Sequence, residues 1–482
     1  MRPDARQAVI VIHGIGEQRP MATLRGLIDN LEVGPWYSRR DRMSGTQELR
    51  RLSLPFRRGR RPRTDFYELY WAHHMAEGRA SATALWALRL LMRRSAWRGT
   101  QIARTLNVLT SILLVTGAGG IVALAIPSTR TWILGARQSI PFWASAAAWL
   151  VMAVVGGFLA RYLSDAARYL TPRPANISSR AAIRDEGIAL LDRIHASGQY
   201  ARVVVIGHSL GSVIAYDILR FYWDQSRRPV ASKAARQPVL HEFELATQRF
   251  PDSPTEAQLD QFQQLQHRLW REQRSLGVPW LVTDLITLGS PLTNAPMLLG
   301  DKNANVVQLK RERELPSCPP TGDGGENVAG FYRANVSGAD GDDRMIVRSL
   351  ACGDSGAVFA TTRWTNLYFP VRRLILGDLV GGPIAPAFGP GIRDIPVRTS
   401  PLSRRLAWLQ NIFPVPHVSY WAASAPAALT RQQRRADNRR LGTRESMPTL
   451  QHVIGLDILR SRTPYPDPDP ARAAMGPPEQ GR

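Results

Sequence analysis

Ser209 is the residue whose type and setting most directly suggest chemistry. It stands in Gly207-His208-Ser209-Leu210-Gly211. The preceding run, Val203 to Ile206, is short, apolar and β-branched, as in a strand buried on both faces. After it, Val213, Ile214, Asp217, Ile218 and Phe221 recur at helical spacing, with the apolar positions on one side. A strand, a G-x-S-x-G turn and a helix make a nucleophile elbow. Gly207 and Gly211 carry no Cβ, so strand and helix can approach closely on either side of the serine. A serine hydroxyl is a poor nucleophile until an imidazole takes its proton, and that imidazole needs a carboxylate to hold its tautomer. Downstream, the candidate carboxylates are Asp343, Asp378 and Asp394, and the candidate bases are His417 and His452. Ser290, in Gly289-Ser290-Pro291-Leu292, is a second conceivable nucleophile. It lacks the flanking glycine pattern and a good helix behind it.

The elbow resembles that of the α/β-hydrolase superfamily, specifically its serine lipases and esterases. Two further patches carry the resemblance. One is His13-Gly14-Ile15-Gly16, which ends an early strand at Ala8 to Ile12. The other is distal: Trp364-Thr365-Asn366-Leu367-Tyr368, then Asp378 ahead of Gly381-Gly382, then His417-Val418-Ser419-Tyr420-Trp421. The resemblance implies an α/β-hydrolase fold, a mostly parallel sheet flanked by helices. It implies the chain order Ser, Asp, His, which selects Asp378 and His417 as partners of Ser209. It also implies an oxyanion hole from the amides of Ile15 and Leu210, supported by the loop residues His13 and Gly14 and by the elbow glycines. His13 is expected to orient that loop by a hydrogen bond rather than act as the base. The implied reaction is carboxylic ester cleavage through an acyl-enzyme, with no cofactor and no metal. An acyltransferase or thioesterase would use the same triad. A membrane scaffold without activity is a third reading, against which the ordered Ser, Asp and His set argues.

The elements that must position these residues follow from pattern. Strands are expected at Ala8 to Ile12, Phe66 to Trp71, Val203 to Ile206, Leu281 to Leu288 and Trp364 to Phe369. Helices are expected at Thr23 to Val33 and at Ser178 to Ala196, where Ile183, Leu190, Leu191 and Ile194 share a face. A third runs from the capping box at Ser253-Pro254-Thr255-Glu256 to about Arg274. Leu450 to Leu459 reads as a helix or strand in which His452 is expected to pack. Residues 39–63 read as an Arg-rich loop, 224–278 as a polar insertion, 301–360 as irregular, and 461–482 as a disordered Pro-rich tail. His73-His74 is discounted as a metal pair, because adjacent side chains point different ways on regular structure and no Cys or carboxylate cluster is near in sequence.

Leu106 to Ile126 and Ile140 to Ala160 contain no charged residue. Each is long enough to reach roughly 30 Å as a helix, the thickness of a bilayer core. Gly117, Gly119 and Gly120 on one run and Gly156 and Gly157 on the other suit close helix contact. Residues 101–161 are therefore expected to form a transmembrane hairpin interrupting the hydrolase domain, whose parts are 1–100 and 162–460. A buried helical hairpin in a lid is the alternative. Both sheet halves must share one side of the membrane, and arginines crowd both flanks, which places the catalytic domain in the cytoplasm. No secretory signal is read in Met1 to Gln7.

Composition sets outer limits. The 482 residues are 44% hydrophobic, ample for a large core with insertions. The formal charge of +23 rests almost wholly on arginine, lysine occurring only at 233, 302 and 310. No nucleic-acid motif accompanies that charge, so an ester or lipid substrate and an anionic membrane surface are the expected partners and nucleic acid is not. The two cysteines, Cys318 and Cys352, could form one disulfide but no framework.

Overall fold

The computed structural model describes residues 6–75, 169, 174–295, 303–399, 415–421 and 442–456, apart from short stretches at 16–18, 32–33, 46–47, 57–61, 232–235, 323–328, 340–343 and 373–375. In chain order the elements are β1 (Arg6–Ile12), α1 (Ala22–Asn30), β2 (Tyr37–Arg40), β3 (Arg50–Leu54) and β4 (Arg63–Leu69). Then come α2 (Pro174–Ala196), β5 (Arg202–His208), α3 (Leu210–Ser226), α4 (Pro238–Gln248), α5 (Glu256–Ser275) and β6 (Val282–Leu288). The last part holds α6 (Asn303–Arg311), β7 (Phe331–Ala339), β8 (Met345–Gly353), β9 (Arg363–Tyr368), β10 (Arg393–Arg398), β11 (Arg444–Glu445) and α7 (Ser446–Ile454).

Nine strands form one sheet in the order β11-β10-β9-β6-β5-β1-β4-β3-β2. Pairing is parallel from β11 through β4 and antiparallel where β3 and β2 extend the edge. The central strands are apolar on both faces because both faces are covered. Along β1, Ala8, Ile10 and Ile12 join a core with α2, α3, α4 and α5, whereas Val9 and Val11 join the opposite core with α1 and α7. The stripe read on α2 is real: Ile183, Leu190, Leu191 and Ile194 are all buried.

At the β1/β5 junction the connections leave the sheet in opposite directions. The link after β1 runs to α1 on one face, and the link after β5 runs to α3 on the other. Ligands in open α/β sheets bind outside the carboxyl ends of the strands at such a switch point. Gly14 and Ser209 stand at the carboxyl ends of β1 and β5, side by side.

Several expectations are corrected. No helix among the described residues is long and apolar enough to cross a membrane. Residues 106–126 and 140–160, to which the transmembrane hairpin was assigned, lie outside the described residues. The described residues form an α/β fold with a mostly parallel sheet, and a transmembrane hairpin is not supported as part of it. The membrane location and cytoplasmic placement of the catalytic domain rested on that hairpin and fall with it. Absence of charge over twenty residues reports that a segment avoids water, and that alone does not make a span.

Residues 39–63 are not a plain loop, since β3 lies there and pairs with β4 through Leu52 and Phe66. Residues 301–360 hold α6 and the β7–β8 hairpin. The insertion at 224–278 packs inward through Phe243, Phe262, Leu265 and Leu269. The capping box is built on Thr255 and Gln258, two residues later than read, because Thr255 takes the extended backbone a cap requires and its hydroxyl accepts from the Gln258 amide. Cys318 and Cys352 are both buried free thiols.

The junction of β1 with α3 is unusually close. A Cβ placed on Gly211 would lie 2.3 Å from the Ile12 carbonyl oxygen and 2.4 Å from that of His13. Both contacts are backbone in the sheet centre, so neither can yield cheaply. Gly211→Ala is expected to cost about 3 kcal/mol of stability. Gly26, within α1, has nothing near its Cβ position, and Gly26→Ala should stabilise by about 0.5–1 kcal/mol. Urea denaturation of the two variants beside the wild type checks both signs.

Candidate active site

Ser209 ends β5 and precedes α3 with φ 54° and ψ −129°. A left-handed φ on a serine is sparsely populated and costs on the order of 1–3 kcal/mol, so the surroundings must impose it. They do so from both sides. The Ser209 amide donates to the Leu288 carbonyl at the end of β6 (2.9 Å), and the Ser209 carbonyl accepts from the Ser212 amide (3.0 Å). At Gly207 a Cβ would meet the Ser212 Cα at 2.5 Å, which is why the turn can close.

The chain brings its three best candidates together from 208 residues of sequence separation. His417 Nε2 lies 3.0 Å from Ser209 Oγ, and His417 Nδ1 lies 3.0 Å from each Asp378 carboxylate oxygen. All three side chains are buried. Burial alone would push the Asp378 carboxyl up. The neighbouring His417 imidazole outweighs it, helped by hydrogen bonds from His417, Tyr420 and the Gly381 amide, and the pKa falls below the usual value. An ionised carboxylate only accepts. His417 must therefore carry its proton on Nδ1, which leaves the Nε2 lone pair facing the Ser209 hydroxyl. Serine, imidazole and carboxylate thus stand in the hand-off geometry that nucleophilic catalysis needs.

Asp394 does not share this arrangement. It accepts from Asn366 Nδ2 (2.6 Å) and from the amides of Ile384 (3.0 Å) and Ala385 (2.9 Å), so it caps a turn. Burial raises its pKa, only partly offset by those donors. Asp343 lies outside the described residues. Ser290 caps the turn at Pro291–Asn294, its hydroxyl accepting from the Leu292 amide and sharing a 2.6 Å bond with Ser212 Oγ. His452 is exposed on α7 rather than packed.

The loop after β1 reaches the serine. A Cβ on Gly14 would stand 2.8 Å from Ser209 Cβ, so only glycine fits there. His13 shapes this loop: its Nδ1 donates to the Gly14 carbonyl (2.8 Å), and its ring stacks on Trp71 at 5.0 Å. Burial is the main reason its pKa drops to about 4, so the ring is neutral near pH 7. Ile15 follows Gly14 directly in this loop, and Leu210 follows Ser209 as the first residue of α3. Donors at such positions are those an oxyanion would use.

Three supporting residues escaped the sequence reading. Tyr420 is fully buried; its hydroxyl donates to Asp378 Oδ2 (2.8 Å) and accepts from the Phe369 amide (3.1 Å). Gly289 sits at φ +55°, where a Cβ would strike Tyr420 at 2.6 Å and Asp378 Oδ2 at 2.8 Å. His208 donates through Nε2 to the His417 carbonyl (2.8 Å), tying the His417 segment to the strand that leads into Ser209. Burial drives the His208 pKa down to about 3, with repulsion from His417 adding to it. The sequence did hold a signal for two of them: Tyr420 lies three residues after His417, and His208 one before Ser209.

No family model, no curated protein and no solved structure matches this chain.

Proposed function

We propose that this protein is a serine hydrolase of α/β-hydrolase type that cleaves carboxylic esters. The observation that carries the reading is the 3.0 Å approach of His417 Nε2 to Ser209 Oγ, with Asp378 bracing the far side of the ring. Ser209 Oγ attacks the acyl carbonyl while His417 Nε2 takes its proton. Asp378 holds the resulting imidazolium through Nδ1–H. The carbonyl oxygen, now negative, is received by the amide of Ile15, in the loop after β1, and by that of Leu210, at the N-terminus of α3, where the helix dipole favours negative charge. Collapse expels the alcohol, which takes the proton from Nε2. Water then repeats the sequence on the acyl-serine and releases the acid. No step calls for a cofactor.

The deciding experiment is labelling with a fluorophosphonate, which phosphonylates a serine only where a base activates it. One equivalent should be taken up, and mass spectrometry of the digest should place it on Ser209. Absence of label from folded protein, or label on another serine, would overturn the reading.

A further inference from the structure

We infer that His73, His74 and Glu186 form a binding site for a divalent transition-metal ion of the zinc class, which clips the turn after β4 to α2. It is the sole grouping of three metal-ligating side chains among the described residues. The two histidines sit on the single turn Ala72–Met75, and Glu186 comes from α2.

The geometry is that of ligands needing little movement. His74 Nε2 lies 3.0 Å and His73 Nε2 3.9 Å from the same Glu186 Oε2, and one ligand atom from each residue falls within 4.8 Å of the others. Bonds of about 2.0–2.1 Å in a tetrahedron set ligand atoms about 3.3 Å apart, between those two values. The imidazole rings stand 3.9 Å apart, tilted by 40°. The expected divergence of adjacent histidines fails because a tight turn followed by free χ rotation lets both rings swing to one carboxylate.

The donor set selects the ion. Two imidazoles and one carboxylate suit zinc and its neighbours, whereas magnesium and calcium prefer oxygen alone. Side-chain exposures of 43% for His73, 25% for His74 and 18% for Glu186 leave a path from solvent and a fourth position for water. His73 also stacks on Tyr70 (5.7 Å), which in turn meets His13 (5.4 Å), so the ring orientation is held from behind.

Placement gives the ion a task. His74 and Glu186 stand 112 residues apart in the chain. A bond from His74 to Glu186 therefore closes the neck of a 112-residue loop. Cross-links across long loops restrict the unfolded chain most.

The test uses the full chain, freed of metal with EDTA and titrated with Zn²⁺ and, as a spectroscopic probe, Co²⁺. One equivalent should bind, Co²⁺ should show the visible bands of a four-coordinate ion, and Zn²⁺ should raise Tm by at least about 3 °C. His74→Ala and Glu186→Gln should each weaken uptake by at least about 100-fold. Should His74→Ala fail to fold, the isosteric Glu186→Gln decides. Ser209→Ala should bind Zn²⁺ as the wild type does, which separates this site from the proposed hydrolytic one. Folded protein that takes up no stoichiometric Zn²⁺, or uptake unchanged in Glu186→Gln, would overturn the inference.

Discussion

Replacing Ser209 by alanine is expected to lower turnover of a small water-soluble ester by about 10⁶-fold. The loss is that large because hydroxyl, base and carboxylate act as one unit. Without the hydroxyl, the 3.0 Å contact to His417 Nε2 has nothing to deprotonate. Residual activity would come from the Ile15 and Leu210 amides acting on a directly attacking water. The fold should survive, since the backbone bonds to Leu288 and Ser212 do not involve the side chain. Alanine keeps the strain of φ 54°, and glycine relieves it, so Ser209→Gly should be about 1 kcal/mol more stable than Ser209→Ala. Steady-state kinetics and thermal melts on the two variants check both statements. Fluorophosphonate label that persists in Ser209→Ala and disappears in Ser290→Ala would move the nucleophile to Ser290.

Asp378→Asn should cost on the order of 10⁴ in kcat, with the fold kept. The physical reason is the tautomer. A carboxylate accepts from His417 Nδ1–H, while an amide nitrogen at the same place donates to Nδ1. The ring then carries its proton on Nε2 and cannot accept one from Ser209. Tyr420→Phe keeps the carboxylate and removes one 2.8 Å donor to it, so its effect should be about 10–100-fold. Asp394→Asn should lower stability and leave the rate per folded molecule near that of the wild type, since Asp394 serves the amides of Ile384 and Ala385. Kinetics on folded fractions separate the cases. A crippled Asp394→Asn beside a mild Asp378→Asn would exchange the two roles.

Local order accounts for what was legible in the residues alone. Val203 to Ile206, the Gly-His-Ser-Leu-Gly turn and the stripe of α3 are contiguous, so strand, elbow and helix could be read where they stand. The same holds for β1 with His13 and Gly14, for β6, for β9 and for the buried face of α2. Where polar residues line or flank a strand, the pattern is masked. β3 hides in an Arg-rich stretch; β7 does alternate, half-buried Tyr332, Ala334 and Val336 with exposed Arg333, Asn335 and Ser337, but it stands in a Gly- and Asp-rich run that masks it. The uncharged runs at 106–126 and 140–160 lie outside the described residues, and no described helix supports the span read there.

By itself the sequence determined that a serine elbow exists, that an early His-Gly loop accompanies it, and which few carboxylates and histidines could serve it. Those are short-range facts, written in neighbouring residues. Only the tertiary structure decided among the distant candidates. The order of strands in the sheet carries Asp378 and His417 to Ser209, gives Asp394 a turn to cap, and sets Tyr420 and Gly289 against the carboxylate. The same packing brings Glu186 to His73 and His74 across 112 residues. Such contacts arise from burying two faces of one sheet at once, and no local pattern encodes which loops that burial makes neighbours.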